Sequence, residues 1–180
     1  MVKCDFAGWA TRNDLLCGDG RIIKKDAFKD NDGDVVSLVW NHDHSDPNAV
    51  LGHALLENRD EGVYAYCTLN DTEQGRNAKE LVRHGDVSAL SIYANKLKQN
   101  GKEVVHGSIR ELSLVLAGAN PGAYIDYVMA HSADGKDTDE LAEVSSISVV
   151  AVSYNPINIE LIALMLSISE FDIDDITVLL

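Results

Sequence analysis

Short apolar runs with strand-like alternation recur along the first 130 residues, each bounded by glycine, asparagine, aspartate or proline. Residues 3–12 predict a first strand anchored by Phe6 and Trp9. A loop-rich stretch follows over 13–34, interrupted by the short apolar pieces Ile22–Ile23 and Ala27–Phe28. Residues 35–41 predict a strand that delivers His42 to a turn marked by Ser45, Asp46 and Pro47. Val50–Leu56 and Gly62–Leu69 predict two more strands joined by a turn. Then the period changes to a helical one. Thr72 is placed as an N-cap, Ala78, Leu81 and Val82 fall at helical spacing, and Gly85 is the stop. Strands at 87–97 and 103–117 follow around a turn at 98–102, and residues 119–128 close the core.

The pattern of charge divides the chain. Lys136 is the only lysine or arginine after Arg110, while aspartate and glutamate recur to the end. Three segments are expected: a core over 1–130, an acidic solvated linker over 131–143, and a C-terminal tail over 144–180. In the tail, 144–155 is strand-like, 156–171 has the pattern of an amphipathic helix, and 172–180 that of a last strand. Its apolar content argues against full disorder.

Composition narrows the function classes. A formal net charge of −14 over 180 residues argues against a nucleic-acid partner, which calls for a basic face. Cys4, Cys17 and Cys67 are scattered and odd in number, which predicts reduced thiols instead of a disulfide frame or a zinc site. The N-terminus lacks a long apolar signal region, and no run of about 18 apolar residues is present. A soluble intracellular chain without a membrane partner is expected.

Three polar residues interrupt or end apolar runs: His42 after Trp40, Ser91 within 87–94, and Glu111 between Ile109 and Leu112. Histidine, serine and a carboxylate are the groups a serine hydrolase needs, because a hydroxyl attacks well only when a base takes its proton and a third group holds the base. Each also has a bland reading. His42 fits a polar strand end, Ser91 a core filler bonded to backbone, and Glu111 an exposed sheet face. In a regular strand Ser91 shares a face with Ala89 and Tyr93, and Arg110 projects away from Glu111. His42, His44 and His53 also fit a metal-dependent hydrolase, although no cysteine or helical HExxH accompanies them. The aspartate-rich 30–34 segment has its glycine too early for a calcium loop, and Gly18–Arg21 is a turn.

The order of these motifs resembles the tailed-phage prohead maturation proteases, a family related in fold to the herpesvirus assemblins. The resemblance rests on FAGWA at 6–10, GDGR at 18–21 with Ala27–Phe28, WNHD at 40–43 with Pro47 and LGH at 51–53, a helix leading into LSI at 90–92, and RELSLV at 110–115 followed by ANPGA at 119–123. It spans residues 3–128. It implies a mainly β fold with flanking helices (α+β) around a herpesvirus-protease-like β-barrel core. It further implies a serine endopeptidase with Ser91 as nucleophile, His42 as general base and Glu111 as the third member. His53 or His106 is the alternative for that third place, and Arg110 is the candidate support for the oxyanion. No cofactor and no metal is implied.

The partners implied are the major capsid protein or its scaffold domain, with the portal as a further candidate and a homo-oligomer as the assembly. The enzyme would cleave capsid or scaffold extensions, and itself, inside the procapsid in the bacterial host cytoplasm. Two positions depart from the pattern. Tyr93 stands where the family usually has glycine, and Pro47–Ala49 replaces a common PIG, with Gly52 slightly later. Tyr93 and the acidic tail also fit a different class, a non-catalytic capsid-assembly module on the same fold.

Overall fold

The strand-like runs form one mixed sheet of eight strands: β1 (Phe6–Arg12), β2 (Ile22–Ile23), β3 (Val35–Trp40), β4 (Val50–Arg59), β5 (Gly62–Leu69), β6 (Ala89–Asn100), β7 (Glu103–Val115) and β8 (Ile125–Val128). The computed structural model describes residues 2–129. The linker expected over 131–143 and the strand, helix and strand expected over 144–180 lie outside the described residues. Neighbouring strands run in the order β6–β7–β3–β4–β5–β1–β8, and β2 shares one edge of β7 with β3. β2 and β3 pair with β7 in parallel; every other pairing is antiparallel.

The ladder does not close, but its two ends meet. Ala89 at the start of β6 bridges Tyr124 just before β8, through Leu90 N–H to Ala123 O (3.1 Å) and Ile125 N–H to Ser88 O (2.8 Å). Alternation sends one face of each strand into the space enclosed by this curl. Phe6, Phe28, Leu38, Leu56, Leu90, Leu112 and Leu114 are fully buried there, each side chain contributing roughly 1.5–3 kcal/mol relative to exposure.

A single α-helix, α1 (Glu73–His84), stands among the described residues and lies against β4 and β5 through Ala78 and Val82. Its ends are those the sequence predicts. Thr72 Oγ1 accepts the Gly75 N–H at 3.1 Å, and Gly85 takes a left-handed φ of 78° that costs glycine little. No helix among the described residues is long and apolar enough to cross a membrane.

Two strands run further than the hydrophobic pattern suggests. β4 reaches Arg59, which pairs with Gly62 and leaves only Asp60 and Glu61 as the turn, because cross-strand contacts between Glu57, Arg59, Tyr64 and Tyr66 extend the ladder past its apolar stretch. β6 continues to Asn100 through irregular pairing around Lys96, whose φ is 51°. The loop-rich 13–34 segment is fixed by the short parallel pairing of β2 with β7 and by Asn31, whose side chain bonds both the N–H (2.9 Å) and the C=O (3.3 Å) of Ile109.

Candidate active site

β7 is the strand on which the site is built. Its alternation sends Leu112 and Leu114 into the core and turns Glu111 and Ser113 to the other face. β6 on one side brings Ser91 opposite Ser113 and Tyr93 opposite Glu111. β3 on the other side brings Ser37 opposite Glu111 and Val39 opposite Ser113. The parallel direction of β3 ends it beside Leu114, so the chain leaves the sheet directly above Ser113.

At that exit the backbone turns sharply. Asn41 and His42 have φ values of 49° and 56°, a left-handed conformation that asparagine tolerates and that costs a non-glycine residue on the order of 1–3 kcal/mol. Three hydrogen bonds hold the turn: Asn41 N–H to Leu114 O (2.9 Å), His42 N–H to Ser113 Oγ (3.0 Å) and Asp43 N–H to Trp40 O (3.0 Å). The result folds the imidazole back over the sheet.

His42 then bridges two strands. Its Nδ1 lies 2.5 Å from Glu111 Oε1 and its Nε2 lies 2.9 Å from Ser91 Oγ. A carboxylate only accepts, so Nδ1 carries the proton and Nε2 presents a lone pair to the serine hydroxyl. Glu111 is 4 % exposed, and both of its oxygens are satisfied, because Ser113 Oγ–H donates to Oε2 at 2.9 Å. A buried carboxylate without such partners would cost several kcal/mol. No buried side-chain nitrogen or oxygen among the described residues lacks a partner.

Two grooves flank this relay. One, of about 270 Å3, is lined by Ser91 and by Cys17, Asp19, Arg21, Phe28 and Leu97. The other, of about 470 Å3, runs along the 43–47 turn past His44, Arg110 and Glu111. Tyr93 lines both, with its ring 5.1 Å from that of His44 in an edge-on contact. In the smaller groove burial first, and then the charge of Asp19, push the Cys17 thiol up, so it stays protonated and is a poor nucleophile. The ANPGA segment edges the same groove. Asn120 donates to Thr11 Oγ1 (2.9 Å) and Arg12 O (2.8 Å), tying the loop to the end of β1.

His42, Ser91 and Glu111 are thus brought together from the turn after β3 and from strands β6 and β7. Arg110 is exposed and lines the larger groove, not the one that Ser91 lines. Neither alternative histidine approaches His42 by hydrogen bond: His53 is exposed on β4 opposite Ser37 and Thr68, and His106 Nδ1 lies 3.9 Å from Asp30. Among the described residues no group of three or more His, Cys, Asp or Glu side chains is arranged to hold a metal ion. His44 instead stands 3.7 Å from Glu111 Oε1. Ser113 is the residue that sequence reasoning passed over; its signal was a second polar position two residues after Glu111, hence on the same strand face.

Among solved structures the fold is similar to that of the Kaposi's sarcoma herpesvirus protease crystallised with a hexapeptide phosphonate inhibitor, at TM-score 0.51 and 15 % identity over 95 % of this chain and 78 % of that one. A second structure of the herpesvirus protease, with an allosteric inhibitor, aligns at TM-score 0.42 and 15 % identity over 96 % of this chain and 94 % of that one. The first likeness identifies the fold as that of the herpesvirus proteases. No curated protein matches the sequence. The family model for the Caudovirus prohead serine protease matches residues 7–139, which takes in every strand described above apart from Phe6 at the start of β1. A serine peptidase of capsid maturation, acting in the phage procapsid, is what that match supports, and the chain belongs to the Caudovirus prohead serine protease family.

Proposed function

We propose that the chain is an endopeptidase in which Ser91, His42 and Glu111 act as nucleophile, general base and orienting carboxylate. The observation that supports this reading is the unbroken relay from Ser91 Oγ through His42 Nε2 and Nδ1 to Glu111 Oε1, at 2.9 and 2.5 Å. His42 Nε2 takes the Ser91 proton as Oγ attacks the peptide carbonyl. Glu111 keeps Nδ1 protonated and balances the imidazolium that forms. Backbone N–H groups stabilise the oxyanion, with Arg110 as the candidate that positions them. The imidazolium returns its proton to the leaving amine, and water, activated by the same base, releases the acyl group from Ser91.

The substrates in this reading are scaffold or capsid-protein extensions and the chain itself, met inside the assembling procapsid in the host cytoplasm. Its partners are the major capsid protein, the portal and further copies of the chain. Residues 131–180 serve as a propeptide, assembly contact or tether. A chain ending near residue 130 that assembles and cleaves like the full one rules that last assignment out.

The test of the site is intact-mass analysis and peptide mapping after treatment with a fluorophosphonate, beside a Ser91→Ala control. The expected result is one adduct, on Ser91, absent from the variant. A folded chain that takes no adduct at any concentration sinks the catalytic reading in favour of a non-catalytic assembly module.

A further inference from the structure

We infer that Ser113 is a positioning residue for the reaction, the group that locks general base and carboxylate into one geometry. The inference rests on the reading of Ser91, His42 and Glu111 given above. Ser113 is 0 % exposed, so its hydroxyl meets neither solvent nor substrate. It sits on β7 between the two strands that supply the reacting groups, opposite Ser91 on β6 and opposite Val39 on β3. Both hydrogen bonds of its oxygen end on members of the relay. Oγ accepts the backbone N–H of His42 at 3.0 Å and donates its proton to Glu111 Oε2 at 2.9 Å.

Each bond removes a freedom that the relay cannot tolerate. The His42 backbone is in a left-handed conformation, which relaxes unless neighbouring groups hold it; the bond to Ser113 is the only one of the three turn bonds made by His42 itself. The Glu111 carboxylate can rotate about its last torsion, a broad and soft one. With Oε2 held by Ser113, Oε1 is the oxygen that faces Nδ1. One hydroxyl therefore sets both ends of the His42–Glu111 contact, and through it the direction in which Nε2 points at Ser91. Apolar residues at 113 would take away the partner of the half-buried His42 N–H and leave Glu111 Oε2 buried without one.

The experiment compares Ser113→Ala, Ser113→Thr and the natural chain in three measurements. These are the fraction of chains that take a fluorophosphonate at saturation, the rate at which they take it, and the downfield proton resonance of the His42 Nδ1–H. A Glu111→Gln chain identifies that resonance by its loss. The expected result is that Ser113→Ala labels to the same final fraction but roughly ten- to a hundredfold more slowly, with the resonance broadened or shifted, and that Ser113→Thr restores both. A Ser113→Ala chain that labels at the natural rate with the resonance unmoved overturns the inference. So does a loss that lies wholly in the titratable fraction, which marks a role in folding alone. A natural chain that takes no adduct on Ser91 removes the catalytic reading itself and this inference with it, an outcome distinct from the other two because it is seen before any residue at 113 is changed.

Discussion

Two regions on one face of the same sheet carry polar clusters, and they are built on opposite principles. Over β3, β6 and β7 the carboxylate of Glu111 is buried, each of its oxygens has a designated donor, and a strained backbone aims the imidazole. Over β1, β4 and β5 the charges stay near water and rest on aromatic rings. Arg12 lies 4.4 Å above Trp9, Arg59 lies 3.8 Å above Tyr64, and Glu57 pairs with Arg59 at 2.7 Å. The first arrangement allows one geometry only and is costly to disturb. The second tolerates many geometries and is worth little per contact. Burial, not the number of charged residues, is what separates a preorganised site from a decorated surface.

The comparison breaks most sharply at Glu111. Glu111→Gln keeps size and shape but presents an amide whose N–H2 can turn toward His42. That group donates to Nδ1, drives the ring proton to Nε2, and removes the lone pair that must take the Ser91 proton. The rate of Ser91 labelling is expected to fall about a thousand- to ten-thousandfold, as for loss of the orienting carboxylate in other triads, while the chain stays folded. Stopped-flow or timed mass analysis of fluorophosphonate labelling, with circular dichroism alongside, measures both. A loss of less than tenfold sinks Glu111 as the third member.

Next comes Gly52, where the two halves of the sheet are joined. A Cβ there would stand 2.0 Å from Thr68 O of the neighbouring strand, with no flexible side chain to give way. Gly52 pairs with Leu38 just before the register shift that feeds β3 toward His42. Gly52→Ala is expected to destabilise the fold by roughly 2 kcal/mol or more through backbone displacement. Urea unfolding reads this as a lower midpoint at unchanged slope. An unshifted midpoint shows that the strands can part here without cost.

How much of this was legible beforehand follows the same division. The strands, the capped helix and the positions of His42, Ser91 and Glu111 lie in local patterns: alternation, an N-cap, a glycine stop, and polar residues within apolar runs. What one sequence did not reveal is what depends on register between distant strands. Ser113 reads as one more small residue in an apolar run until the parallel pairing of β3 with β7 sets His42 above it. His44 reads as half of an H-x-H pair until the turn at Asn41–His42 removes both from strand geometry and leaves His44 against Tyr93 and Glu111. The extra length of β4 was hidden for a related reason, because its last residues are held by side-chain contacts across the ladder and not by their own hydrophobicity.

In the aromatic region, Tyr64 gives a smaller effect with a defined pH signature. Its hydroxyl donates to Asp126 Oδ1 at 2.5 Å, and burial, followed by that carboxylate, pushes the phenol well above its ordinary range. A raised folded-state pKa contributes stability that is fully present below about pH 10, where an unfolded tyrosine titrates, and that is lost as pH rises beyond it. Tyr64→Phe is expected to cost about 1 kcal/mol at neutral pH and to flatten the alkaline fall in stability. The rate of Ser91 labelling should not change. A variant that keeps the natural alkaline profile assigns that fall to other groups.

The smallest effect belongs to Glu57, and it sharpens the comparison from the weak side. Hydrogen bonds from Arg59, then from the Tyr66 hydroxyl, hold its carboxyl below the usual range, and the side chain is 44 % exposed. A lowered folded-state pKa contributes stability that is present above the unfolded value of about 4.3 and is lost as pH falls through the folded one. Exposure and salt screening reduce that contribution, so Glu57→Gln should shift stability by about 0.5 kcal/mol or less at neutral pH, and less again at high salt. At Glu111, with a partner on each oxygen and almost no exposure, the same amide substitution is expected to act on the rate of Ser91 labelling instead. If Glu57→Gln proved as damaging to the fold as Gly52→Ala, in urea titrations at low and high salt, the aromatic region would have to be counted as a buried network, and the distinction drawn from burial would fail.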